Sequence, residues 1–152
     1  MTEKHNLPRL QNRDRLTILE YRLLIRDKRR NPGGGNKYNA KKVRFGEYVF
    51  DSIWEFEVYR DHVLLQRARK ISHLNVHPKY ELYVGKQKVA TYIADLSYTD
   101  NVTGLTVVVD AKSPATMTKV SRLKHKMFRA QYRHELKIVM KPKGWVADGY
   151  KG

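Results

Sequence analysis

Three consecutive valines, Val107-Val108-Val109, run directly into Asp110-Ala111-Lys112. Successive side chains on a strand point to opposite faces, so an unbroken apolar run reads as a strand covered on both sides. Leu105 to Lys112 is therefore expected to be an interior strand. The rest of the chain supplies its covers. Lys42 to Phe50 reads as a short hairpin turning near Gly46-Glu47, and Ser52 opens a helix running to about Arg69. Residues 74–84 and 88–99 read as strands rich in Val, Tyr, Ile and Thr, joined by the turn Val84-Gly85-Lys86-Gln87. Asp100-Asn101-Val102-Thr103-Gly104 turns the chain into the valine strand. Pro114 opens a helix from about Ala115 to Arg133, and Leu136 to Met140 is a last strand. That order describes an α/β sheet with helices packed against it.

Upstream, residues 12–30 have a helical period with two apolar sides. Leu16, Leu19 and Leu23 form one stripe, while Ile18, Tyr21 and Ile25 face the other way. A helix apolar on both sides needs a second surface to cover it, such as another subunit. Asn31-Pro32-Gly33-Gly34-Gly35-Asn36 breaks the pattern. The expected organisation is an N-terminal helical arm with a Gly-rich linker over residues 1–36, a main domain over 37–141 and a tail over 142–152.

Charge narrows the partner. The net charge is +16, with 13 Lys/Arg against 4 Asp/Glu in residues 1–44, 7 against 9 in 45–111, and 11 against 2 in 112–152. Two basic flanks around a mildly acidic middle attract a polyanion through counterion release and long-range steering. Nucleic acid is the expected partner. The absence of cysteine excludes disulfides, iron–sulfur clusters and cysteine-ligated zinc. No apolar run approaches the ~18 residues of a membrane span, and Met1 to Asn12 has no apolar secretory segment, so a cytoplasmic location is expected. Gly33-Gly34-Gly35 lacks the lysine and helix context of a P-loop. No Ser/His/Asp nucleophile set is evident, and no small-molecule cofactor is expected.

The chemistry concentrates at the end of the valine strand. Asp110 and Lys112 alternate onto one face at its carboxyl end, where open α/β sheets place their sites. A carboxylate there can hold a hard cation while the ammonium orients water. The same pair also reads as an ordinary salt bridge before a loop. Asp95 lies in the apolar run Thr91-Tyr92-Ile93-Ala94-Asp95-Leu96, where an acid is costly to bury unless it is paired or on a metal. If 88–99 and 105–112 pair antiparallel, Asp95 and Asp110 approach each other, and a divalent ion relieves their repulsion. Glu55 fits a capping box with Ser52, or it points from the first helical turn into the same site. Glu57 is the neighbouring alternative. His73 and His77 could share one strand face and bind a metal, but histidines beside Pro78 are more often simply polar. Trp54 is read as core.

Phe50-Asp51-Ser52-Ile53-Trp54-Glu55, then Tyr92-Ile93-Ala94-Asp95-Leu96, then Val109-Asp110-Ala111-Lys112, resemble the Glu…Asp…(Glu/Asp)-x-Lys set of phage endonuclease I-type Holliday-junction resolvases, within the PD-(D/E)XK nucleases. Lys37-Tyr38-Asn39-Ala40-Lys41-Lys42 and Leu136-Lys137-Ile138-Val139-Met140 extend the resemblance over roughly residues 37–140. The sequence departs from the family pattern at Ala94, where proline is frequent, at Asp110, where glutamate is commoner, and at Ser113-Pro114, where glycine often follows the lysine. The resemblance implies a restriction-endonuclease-like mixed sheet flanked by helices. It implies that Asp95 and Asp110 hold Mg²⁺ or Mn²⁺, that Glu55 completes a second metal site or orients a ligand, and that Lys112 positions the attacking water. It further implies a homodimer acting on branched DNA, since paired nicks need two sites. The alternatives are a same-fold nuclease acting on flaps, mismatches or plain duplex, and a non-catalytic DNA-binding module.

Lys119, Arg122, Lys126, Arg129 and Arg133 follow a 3-4-3-4 spacing and form one helical stripe. Met117, Val120, Leu123, Met127 and Phe128 are expected broadly opposite, against the sheet. The stripe reads as a phosphate-contacting face or as an ordinary solvated one. Lys41 and Lys42 are further candidates for DNA contact. Phosphate contacts carry no base information, which suits recognition of shape.

Overall fold

The computed structural model describes residues 41–145. The expected arm and linker over 1–36 lie outside the described residues, as do residues 37–40 and 146–152. Two hairpin strands, β1 (Val43–Phe45) and β2 (Tyr48–Phe50), lead into α1 (Ile53–Arg67). Strands β3 (Ile71–Val76), β4 (Lys79–Val84), β5 (Gln87–Ile93), β6 (Leu96–Asp100) and β7 (Thr106–Lys112) follow, then α2 (Lys119–Gln131) and β8 (Glu135–Met140). The fold is α/β with a mixed sheet in the order β3-β6-β7-β8, and β1-β2 and β4-β5 form separate two-stranded ribbons. β3, β6 and β7 pair antiparallel, while β8 runs parallel to β7 after the crossover through α2. Both ribbons turn through two residues, Gly46-Glu47 and Gly85-Lys86, and each glycine takes the positive φ that such tight hairpins require.

The valine triplet behaves as its pattern demands. Val107 and Val109 pack with Val58, Ile71, Leu96 and Tyr98 on the side of α1. Val108 faces the other way, into Leu82, Tyr92, Phe128 and Leu136 on the side of α2. All three valines are fully buried. A third cluster of Val43, Phe50 and Phe56 seats the β1-β2 ribbon on α1. The strand ending in Asp110 and Lys112 is thus held rigidly between two cores, which fixes where its charged end points.

Two expectations need correction. The sequence predicts unbroken strands over 74–84 and 88–99, but each is two strands, broken at His77-Pro78 and at Ala94-Asp95. The breaks face each other: His77 N–H donates to Asp95 O at 2.9 Å and Ala94 N–H to Pro78 O at 3.1 Å. Pro78 has no N–H for the ladder, and His77 sits in the left-handed region at φ 53°. The paired break lets β3 and β6 join the main sheet while β4-β5 leaves it, and places Asp95 at the fork. The second helix starts at Lys119, not near Ala115. Thr116 hydrogen-bonds with Ser113 in a turn, and Thr118 Oγ1 caps the helix by accepting from Ser121 N–H at 3.1 Å.

The packed face of α2 is also rotated from the one expected. Val120 and Leu123 are exposed, not against the sheet, and the buried residues are His125 and Phe128. Weighing only apolar residues placed the face too far from the basic stripe, because the buried histidine lies on the stripe's side. After β8, Lys141 N–H donates to Lys112 O at 2.7 Å, and the Trp145 ring meets Trp54 at 5.1 Å. Trp54 in turn donates its indole N–H to Val139 O at 3.1 Å, tying α1 to β8. No helix among the described residues is long and apolar enough to cross a membrane.

Candidate metal centre

The site assembles at the fork between the main sheet and the β4-β5 ribbon. Glu55 enters from the first turn of α1. Ser52 caps that helix, its Oγ accepting from Glu55 N–H at 3.1 Å. The returning contact differs from a reciprocal capping box: Glu55 Oε2 accepts from Asp51 N–H at 2.9 Å, one residue earlier. Its Oε1 lies 2.7 Å from His77 Nε2. Glu55 therefore serves the helix end with one oxygen and the site with the other. Glu57, the alternative acid, pairs with Arg60 at 3.1 Å instead.

Asp95 follows β5 and stands opposite the end of β7. Its backbone N–H donates to Val109 O at 3.1 Å, and its Oδ2 accepts from Ala111 N–H at 2.5 Å. Those two bonds lock the carboxylate against the strand that carries Asp110 and Lys112. Glu55, His77 and Asp95 each present a ligand atom, and these three atoms lie within 4.8 Å of one another. Two carboxylates and an imidazole at that spacing could hold a divalent cation.

The electrostatics agree with the geometry. Burial pushes the Asp95 carboxyl up, the negative charges of Glu55 and Asp110 push it further, and it reaches about 9. Burial likewise raises Glu55, against the opposing hydrogen bond from His77. A bound cation would offset both shifts, because its positive charge favours the ionised carboxylates that burial disfavours.

Asp110 lies beside this trio and outside it. It is almost wholly buried, and burial alone would raise its carboxyl, yet the His125 hydrogen bond and the Lys112 charge outweigh that and hold it below the ordinary carboxylate range. His125 Nε2 approaches Asp110 Oδ2 at 2.5 Å, and Tyr92 OH donates to the same oxygen at 3.1 Å. Lys112 Nζ stands 2.8 Å from Oδ1. That ion pair is close but poorly aligned, so Oδ1 has no hydrogen-bond partner. The side chain of Lys112 remains 20% exposed, which leaves its ammonium open to a small molecule at the site.

Of the four residues expected from the sequence, Asp95 feels the charges of Glu55 and Asp110, and Lys112 joins them through its ion pair with Asp110. Two further residues join them. The sequence offers His77 as a possible metal ligand but favours a polar loop residue, since its role depends on a strand break set by long-range pairing. His125 was legible in principle: Ser121, His125, Phe128 and Tyr132 recur at the spacing of one helical face, and all are buried or half-buried. His73 is exposed and takes no part in the trio. Tyr132 is occupied in the core, stacked on Phe128 and donating its hydroxyl to Glu81 O at 2.9 Å.

Lys119, Arg122, Lys126, Arg129 and Arg133 are all exposed. At about 100° per residue, Arg122 and Arg129 stand beside His125 on the helix circumference, so the stripe flanks the side of α2 that touches Asp110. Lys124, by contrast, donates to Thr91 O at 2.9 Å and anchors the helix to β5. Lys41 and Lys42 are exposed, and Lys42 pairs with Asp51 at 3.1 Å.

Residues 35–146 match the family described as "Protein of unknown function (DUF1064)". No curated protein matches the chain, and no solved structure does.

Proposed function

The chain belongs to that family, DUF1064, whose match covers most of its length, and we propose that it is a metal-dependent DNA endonuclease that resolves four-way junctions. The observation that carries this reading is the trio Glu55, His77 and Asp95, with ligand atoms within 4.8 Å, set directly beside the Asp110–Lys112 pair. Carboxylates gathered at such cost in repulsion and burial are relieved by a cation, and a lysine beside them is placed to meet a reacting phosphate as well as to pair with Asp110. In this reading the sheet is restriction-endonuclease-like, and the resemblance in residues 37–140 supports it.

Glu55, His77 and Asp95 would hold Mg²⁺ or Mn²⁺, which when bound lowers the pKa of water and neutralises charge on the phosphate oxygens. The chain's own groups do the rest. Lys112 presents its ammonium to the attacking water or to the scissile phosphate. Asp110 holds that ammonium, and His125 with Tyr92 holds Asp110. The basic face of α2 grips phosphates on the flank of the centre without reading bases. The working form is a homodimer in the cytoplasm, whose two centres nick opposing strands.

The test is a titration of Mg²⁺ with a labelled four-way junction, a matched duplex and a single strand. Paired nicks in the junction, with slow or no cutting of the others, support the reading. Cutting of the duplex in preference moves the target within the same chemistry. Ion-independent binding without cleavage of any substrate leaves a DNA-binding module and refutes the nuclease.

The stripe makes a separate prediction. Reversing two charges, Arg122→Glu with Lys126→Glu, should lower junction affinity at least ~tenfold and flatten the log–log salt dependence by about 2, since each phosphate contact contributes ~0.9. Fluorescence anisotropy at several salt concentrations reads both, and an unchanged slope removes the stripe from the interface.

A further inference from the structure

The centre contains a nitrogen donor, and we infer that its resident cation is an ion of the first transition row, with Mn²⁺ preferred over Mg²⁺. This rests on the metal-dependent reading above and adds the kind of ion. Mg²⁺ takes oxygen ligands in a near-ideal octahedron and gives up water reluctantly. Imidazole suits first-row transition ions such as Zn²⁺, Fe²⁺ and Ni²⁺, and Mn²⁺, the weakest binder of that row and otherwise content with carboxylates, accepts a nitrogen donor more readily than Mg²⁺ does. A site that selected Mg²⁺ would have no use for a histidine among its donors.

His77 is held where a ligand must be. Its Nε2 lies 2.7 Å from Glu55 Oε1. Its backbone N–H is fixed on Asp95 O at 2.9 Å, so the two prospective ligands are tied together through the main chain. Its ring meets Phe50 at 5.7 Å between centroids, and its side chain is only one-third exposed. The backbone takes φ 53°, in the left-handed region that Asn and His both adopt more often than most residues.

The full-length protein, stripped with EDTA, is titrated calorimetrically with MnCl₂ and separately with MgCl₂. Wild type should bind Mn²⁺ at least about tenfold more tightly than Mg²⁺. His77→Asn keeps the backbone conformation and offers a hard amide oxygen, so the Mn²⁺-to-Mg²⁺ ratio should fall about tenfold while Mg²⁺ binding persists. A second measurement needs no variant: pulsed electron paramagnetic resonance of the Mn²⁺-loaded wild type should show nitrogen modulation from a directly bound imidazole. Equal affinities in wild type, an unchanged ratio in His77→Asn, or a nitrogen-free spectrum would overturn this inference and leave the metal centre standing. Failure of both ions to bind wild type would overturn the metal-dependent reading along with it.

Discussion

Replacing Asp95 by Asn is expected to stabilise the metal-free protein at alkaline pH and to abolish DNA cleavage at every pH. The sign follows from linkage. The carboxyl stands at about 9 in the fold against 3.8 as its ordinary value, so the metal-free fold prefers the protonated acid. That preference contributes fully below about pH 4, declines as the unfolded chain ionises, and is lost by about pH 9. Asn is a close mimic of the protonated acid: its oxygen still accepts from Ala111 N–H, and it carries no charge to face Glu55 and Asp110. The variant should therefore escape the alkaline loss, with a gain on the order of 3 kcal/mol at pH 8–9, about half of the ~7 kcal/mol that the full shift would give, since the fold relaxes around the ionised acid, and little change near pH 4. For a domain of this size that is a rise of about 10 °C in melting temperature. Thermal unfolding in EDTA across pH 4–9 reads it. Wild type should regain the difference when Mn²⁺ is added, increasingly so as pH rises, because binding must displace the Asp95 proton. A wild type whose metal-free stability is flat over that range would mean that Asp95 is not held among uncompensated charges.

Lys112→Met separates catalysis from metal binding. The substitution keeps most of the apolar stem and removes the ammonium that stands 2.8 Å from Asp110 Oδ1. Losing a positioned charge at the reacting phosphate should lower the single-turnover cleavage rate about 10³-fold. Mn²⁺ affinity should change less than ~threefold, since Lys112 is not among the three prospective ligands. The fold should weaken by roughly 2–3 kcal/mol. That is below the cost of breaking a fully buried pair, because Lys112 retains some water and His125 still holds the other oxygen of Asp110. Lys112→Arg should recover stability but little of the rate, as a guanidinium cannot occupy the ammonium's position. Cleavage at the wild-type rate by Lys112→Met would remove the lysine from the chemistry and leave it a structural partner of Asp110.

What the sequence reveals here follows the range of the interactions. Local pattern was sufficient for β7, because three adjacent valines allow only two-sided burial, and for the two hairpins, whose glycines sit at the required turns. It was sufficient for α1, where Ser52 caps the first turn. It failed at His77-Pro78 and Ala94-Asp95 because each break is legible only against the other, across a ladder formed by distant residues. For the same reason the sequence ranks His77 as a polar loop residue above its reading as a metal ligand. The start of α2 was placed too early because proline at 114 resembles a first-turn residue, whereas Ser113 and Thr116 close a separate turn before Thr118. His125 was passed over because the packed face was sought among apolar residues, and a buried histidine bonded to a buried aspartate breaks that rule. The four charged residues at the centre were found because alternation on β7 and the cost of an acid in an apolar run are physical constraints that need no structure.

The most direct test compares wild type and Asp95→Asn on one labelled four-way junction as Mn²⁺ is added from zero, with EDTA as the endpoint. Paired nicks that appear only with the ion in wild type, cease on chelation and never form with Asp95→Asn are the expected result. Equal cutting by the two proteins, or cutting that survives EDTA, would contradict a cation-dependent centre built on Asp95.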